Sequence, residues 1–100
     1  MAAIVVIPPT TDAVTAQALR RVKTVPSTII ADALAGAEEV EVYATIDDGL
    51  NWFVYQQDGA PVVLTATSQS FSVQSPITLG FLKDATVAAC GVYQMDRTHV

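Results

Sequence analysis

The sequence predicts an all-β protein: an antiparallel β-sandwich, of jelly-roll or immunoglobulin-like type, with an extended N-terminal arm. Three observations point there. Apolar and polar residues alternate with period two in several short runs, as half-buried strands require. Turn signals recur every ~8–12 residues, the spacing of sandwich strands. Asp48-Gly49 and Asp58-Gly59 are strong hairpin signals, because both positions of a tight hairpin turn need positive φ. The chain has 100 residues, 51% of them hydrophobic, which suits one domain with its own core. Residues 1–25 read as an N-terminal strand and arm, and residues 26–100 as the sandwich domain.

Taken in order, Ile4, Val5, Val6 and Ile7 are β-prone and read as a short strand. Pro8 and Pro9 then stiffen an extended path and remove two backbone donors. Residues 11–21 fit either a helix capped by Asp12 or an extended arm, and the arm is the preferred reading. Ser27 to Ala31 is a strand, and residues 34–37 a turn. Val40, Val42, Ala44 and Ile46 alternate with Glu41, Tyr43 and Thr45, the clearest strand of the chain. Residues 51–56 return after Asp48-Gly49, and residues 62–65 follow Asp58-Gly59, so residues 40–67 read as a three-stranded meander. Trp52 is expected in the core between the sheets with Val42, Leu64 and Leu79. Residues 70–74, 77–82 and 86–95 supply the last strands, with Lys83-Asp84 as a turn.

Few side chains suit catalysis. The one histidine, His99, is the penultimate residue, a poor place for a general base. One histidine and one cysteine cannot build a zinc site within a single chain. Asp47-Asp48-Gly49 lacks the spaced ligands and distal glutamate of a calcium loop and reads as a hairpin tip. The glycines are isolated, so no phosphate-binding loop is present. No catalytic, metal-binding or cofactor-binding residue is assigned, and no cofactor is expected. Tyr43, Phe53 and Tyr55 allow an aromatic sugar platform, although cross-strand packing accounts for them more simply.

The charge balance is 5 basic against 10 acidic residues, a net charge of −5, the wrong sign for a nucleic-acid binder. Cys90 has no partner for an internal disulfide and its apolar neighbours predict a buried thiol. The N-terminal apolar run lacks a basic region and no run reaches the length of a membrane span, so a soluble protein made inside the cell is expected, with no membrane partner. Only 15% of residues are charged, against about 25% in an ordinary domain, so part of the surface is expected to be covered by partners. The candidate interface is Ile4, Val5, Val6 and Ile7, free to pair with an edge from elsewhere, and the cations Arg20, Arg21 and Lys23, which would meet acidic groups. Those acids would be Glu38, Glu39 and Glu41 of another copy, or groups of a different protein.

The cues Pro26-Ser27-Thr28-Ile29-Ile30-Ala31, Leu34-Ala35-Gly36-Ala37-Glu38, Val40-Glu41-Val42 and Asp47-Asp48-Gly49-Leu50-Asn51-Trp52 follow one another along the chain. After them come residues 57–67, beginning Gln57-Asp58-Gly59, and Ser75-Pro76. This order, over residues 27–91 or about two thirds of the chain, resembles small virion proteins of tailed bacteriophages that cement or decorate the capsid with a β-sandwich. The resemblance implies a structural role on the outer capsid surface, assembled in the host bacterial cytoplasm. Its implied partners are the major capsid protein and further copies of the chain, as a dimer or trimer. It implies no catalytic residue. Alternatives are another virion part (head fibre base, tail or baseplate) or a surface sandwich module that binds carbohydrate or a host receptor.

Overall fold

The computed structural model describes residues 4–23 and 25–96, and every regular element among them is a β-strand. Sheet I runs in the order β1 (Ile4–Thr10), β11 (Cys90–Asp96), β3 (Ser27–Ala31) and β9 (Ser70–Val73). Sheet II runs β2 (Val14–Val22), β10 (Ile77–Lys83) and β4 (Glu39–Thr45), with β5 (Phe53–Val54) and β8 (Val63–Thr65) both on the far side of β4. A small hairpin of β6 (Gln56–Gln57) and β7 (Ala60–Pro61) completes the chain. Every pairing is antiparallel, and the two sheets pack as the predicted sandwich.

Alternation decides which residues meet between the sheets. Ile29, Ala31, Val73, Cys90 and Val92 of sheet I and Val22, Val40, Val42, Leu64, Leu79 and Phe81 of sheet II are all buried in one core. Burying a side chain of the Leu or Phe class stabilises by about 1.5–3 kcal/mol, so this cluster is the main driving force of the fold. Two polar bridges also cross the interior. Arg20 points inward from β2, and its Nε donates to Gln94 Oε1 at 2.6 Å; the buried Gln94 amide donates in turn to Ser27 Oγ at 3.2 Å. The inward row of β10 continues through Leu79 and Phe81 to Lys83, which is 3% exposed. Its Nζ donates to the Asp12 carbonyl (2.8 Å), the Asp84 carbonyl (3.0 Å) and Thr86 Oγ1 (3.1 Å), which uses all three of its protons. The Thr86 hydroxyl donates onward to the Ala88 carbonyl at 2.7 Å, and Thr86 N donates to the Thr11 carbonyl. Lys83 thus fastens the β1–β2 corner to the β10–β11 loop, where alternation had been read as giving way to a turn.

The structure corrects the extended-arm expectation. Ile4–Thr10 pairs with β11 inside the chain's own sheet I, and Ile7 is buried in the core. Val14–Val22 is a nine-residue strand on β10, neither helix nor arm. Pro8 and Pro9 are accommodated because β1 is an edge strand and its register shifts there, between Ile7, facing Val92, and Thr10, facing Cys90. The meander is corrected too. Tyr43 faces Val54, yet Glu41 faces Val63 where an unbroken strand would bring Gln56. β5 and β8 are therefore two halves of one strand along β4, and residues 56–61 loop out between them. The Val62 N–H bond to the Tyr55 carbonyl (2.9 Å) closes the base of that excursion.

Deleting residues 2–12 removes β1 and the buried Ile7, and is expected to abolish the folded state rather than release a dispensable arm. Urea denaturation followed by circular dichroism checks this: a cooperative transition with the wild-type midpoint would restore the arm reading.

Candidate docking surface

The outer face of sheet II is built around a glycine. Leu79 and Phe81 point into the core, so Gly80 between them points outward. Trp52 occupies the space above it: a Cβ on Gly80 would lie 2.5 Å from the indole ring and 2.5 Å from Gln17 Oε1. The tryptophan therefore packs on the outside of the sheet, partly buried, and is no part of the inter-sheet core expected from the sequence. Val42, Leu64 and Leu79 are in the core as expected.

Seating Trp52 there brings residues 46–52 back across the outer face. Gly49, with φ 93°, lies next to both the indole ring and Leu19 of β2. Arg21 of β2 closes the crossing with an ion pair to Asp48 at 2.6 Å. That pair is exposed, so it orients the loop more than it stabilises the fold.

Asp47 sets the loop's internal shape. Its Oδ1 accepts from the Thr45 hydroxyl (2.8 Å) and the Asn51 N–H (2.9 Å), and its Oδ2 accepts from Asn51 Nδ2 (2.7 Å). Thr45 Oγ1 accepts in turn from the Gly49 N–H at 3.0 Å. The bonds from Asn51, followed by that from Thr45, hold the Asp47 carboxyl below its ordinary range. Both oxygens are engaged inside the loop, and among the described residues no group of three His, Cys, Asp or Glu side chains converges.

This tied loop displays apolar side chains to solvent. Among the described residues, seven large apolar side chains are exposed; Ile46 (90%), Leu50 (83%) and Val54 lie along or beside this loop, and Leu19 stands beside Gly49. Val54, opposite Tyr43, is on the outer face, whereas Phe53, opposite Ala44, is exposed at the sheet edge on the other face. Such a concentration of exposed apolar side chains makes this face the candidate docking surface. Of the sequence-predicted interface residues, Ile7 is buried, Ile4 and Val6 are partly buried and Val5 is exposed on β1. Arg20 turns inward to Gln94, Arg21 joins this surface through Asp48, and Lys23 is exposed at the end of β2. Glu38 accepts from the Ala35 and Val87 backbone N–H groups, and Glu41 accepts from the Tyr43 hydroxyl. That glutamate's charge, next to the phenol, raises the Tyr43 pKa. Cys90 is buried, and burial raises its thiol pKa, as suits a packing residue. His99 lies outside the described residues.

Sequence reasoning missed Leu19, Ile46, Leu50 and Val54 as a candidate surface. A signal for the loop was present in the Thr45, Asp47 and Asn51 spacing, since these short polar side chains bond neighbouring backbone groups.

Gly80→Ala is expected to displace Trp52 and cost about 1–3 kcal/mol by overpacking. Trp52 is the sole tryptophan, so a red-shifted emission reads the displacement directly. The Asp47 carboxyl has a lowered pKa in the folded state, so its contribution is present above the ordinary carboxylate value of about 3.9 and is lost as pH falls through the lower folded value. Asp47→Asn is therefore expected to flatten the acid limb of the stability–pH curve, measured as the urea midpoint of both proteins below about pH 5.

The chain matches no protein-family model, no curated protein and no solved structure.

Proposed function

We propose that the protein is a structural component of a bacteriophage virion that decorates or cements the capsid by binding major capsid protein subunits. The observation that carries this reading is the display of Ile46 and Leu50 on a loop tied by Asp47, Trp52 and the Arg21–Asp48 pair, with Val54 of β5 beside it. Pre-ordered apolar groups lose little entropy on docking, which favours a permanent partner of fixed shape. The order of sequence cues from Pro26 to Pro76 supplies the virion context, and the sparse charge fits a surface covered in an assembly. Another virion component would use the same surface on a different partner.

Binding to purified empty capsids, measured by co-sedimentation, tests the reading. Leu50→Asp and Val54→Asp are each expected to weaken binding at least ~10-fold, since each anchor removed forfeits about 1.5–3 kcal/mol of burial. Val87→Asp, exposed at the other end of sheet II, leaves binding unchanged. Equal binding by all three variants and the wild type would refute this docking surface.

A further inference from the structure

We propose that the β6–β7 hairpin carries a binding site for a neutral oligosaccharide. The hairpin stands as a wall between two clefts of about 470 and 340 Å³, sizes typical of small-molecule sites, and Gln57 and Asp58 line both. Each cleft has an aromatic ring: Tyr55 in the larger, Phe71 in the smaller. The two rings touch, with centroids 5.8 Å apart and planes inclined at 46°. Both rings are half-buried against the core, so only the part of each that lines its cleft is free to pack on the C–H face of a sugar ring, and two adjoining clefts favour a chain of sugars over a single one.

The polar groups favour hydroxyls. Gln57 Nε2 donates to the Ser72 carbonyl (2.7 Å) and to the Tyr55 hydroxyl (3.2 Å), which spends both of its protons. Its Oε1 is thereby held as an acceptor before any ligand arrives, which lowers the ordering cost of binding. The Asp58 carboxylate and the Gln74 amide, both exposed, add acceptors and a donor at the rim of the larger cleft. No Lys, Arg or His is among the residues lining either cleft, so a phosphate or carboxylate ligand would find no counter-charge. A purely apolar ligand would leave the Gln57 Oε1 acceptor unused and gain nothing from Asp58. A neutral, hydroxyl-rich ligand answers both constraints. The site uses none of the side chains of the docking surface and stands whether or not that surface binds a capsid.

The test is titration of the full chain with cellobiose, lactose, maltose and chitobiose, each to about 20 mM, followed by amide chemical shifts. At least one is expected to give saturable shifts centred on Gln57, Asp58 and Gln74. Asp58→Asn keeps the turn, because Asn-Gly suits the same positive φ values (53° and 80° here), but removes the carboxylate. With Gln74→Ala, it is expected to weaken binding at least ~5-fold while circular dichroism is unchanged. The proposal is overturned if none of the four sugars gives a saturable shift, if the shifts centre elsewhere, if both variants bind as tightly as the wild type, or if glucose 6-phosphate binds more tightly than the neutral sugars.

Discussion

The packing of Trp52 on Gly80 is the contact on which the candidate docking surface depends. Gly80 sits in the middle of β10, between two strands and between the two most deeply buried residues of that strand, Leu79 and Phe81. A side chain there would meet the indole ring and the Gln17 side chain at about 2.5 Å. With glycine in place the ring seats, Gly49 packs between it and Leu19, and Asp48 comes within reach of Arg21. Ile46 and Leu50 then have nowhere to turn but solvent. The seat has a cost: Gln17 Oε1 is buried there without a hydrogen-bond partner, a loss of about 1–3 kcal/mol in an ordinary interior. Sheet I uses the same device, for a Cβ on Gly91 would lie 2.6 Å from the Tyr93 hydroxyl. On both outer faces an aromatic ring fills the place a glycine leaves open.

A sandwich of this size has little interior, and it gives part of that interior to polar groups. The Arg20–Gln94–Ser27 bridge joins sheet II to sheet I, and Lys83 joins two loops at the other end of β10. Such groups stabilise less than apolar packing would, but misaligned sheets would leave them unpaired at a cost of several kcal/mol each. They therefore fix how the sheets stack. A defined stacking in turn fixes where β2, β10 and β4 present their outward residues, and so where the candidate docking surface lies.

Much of the fold was legible in local alternation. Val40, Val42, Leu64 and Leu79 are core residues for the reason their spacing implied. The same parity, carried two residues past Phe81, places Lys83 inside, but its charge and the following aspartate suggested a turn. Trp52 was misplaced because its seat is a glycine on another strand, and period-two patterning marks faces without saying what covers them. The arm was misread because Pro8 and Pro9 argue against an interior strand but not against a bulged edge strand. The meander expected over residues 40–67 breaks at residues 56–61, because Asp58-Gly59 reports a hairpin without reporting its length. Of the candidate docking surface, only Arg21 is among the interface residues expected from the sequence, since exposure of Ile46 or Leu50 follows from the route of the loop and not from its composition.

Hydrogen exchange of the protein, free and bound to empty capsids, tests the central claim most directly. Slowed exchange on binding is expected in residues 46–54 and around Leu19, with residues 84–90 at the opposite end of sheet II unchanged. Protection confined to residues 84–90, or to β1 and β9 of sheet I, would contradict the assignment of the Trp52-seated loop as the docking surface.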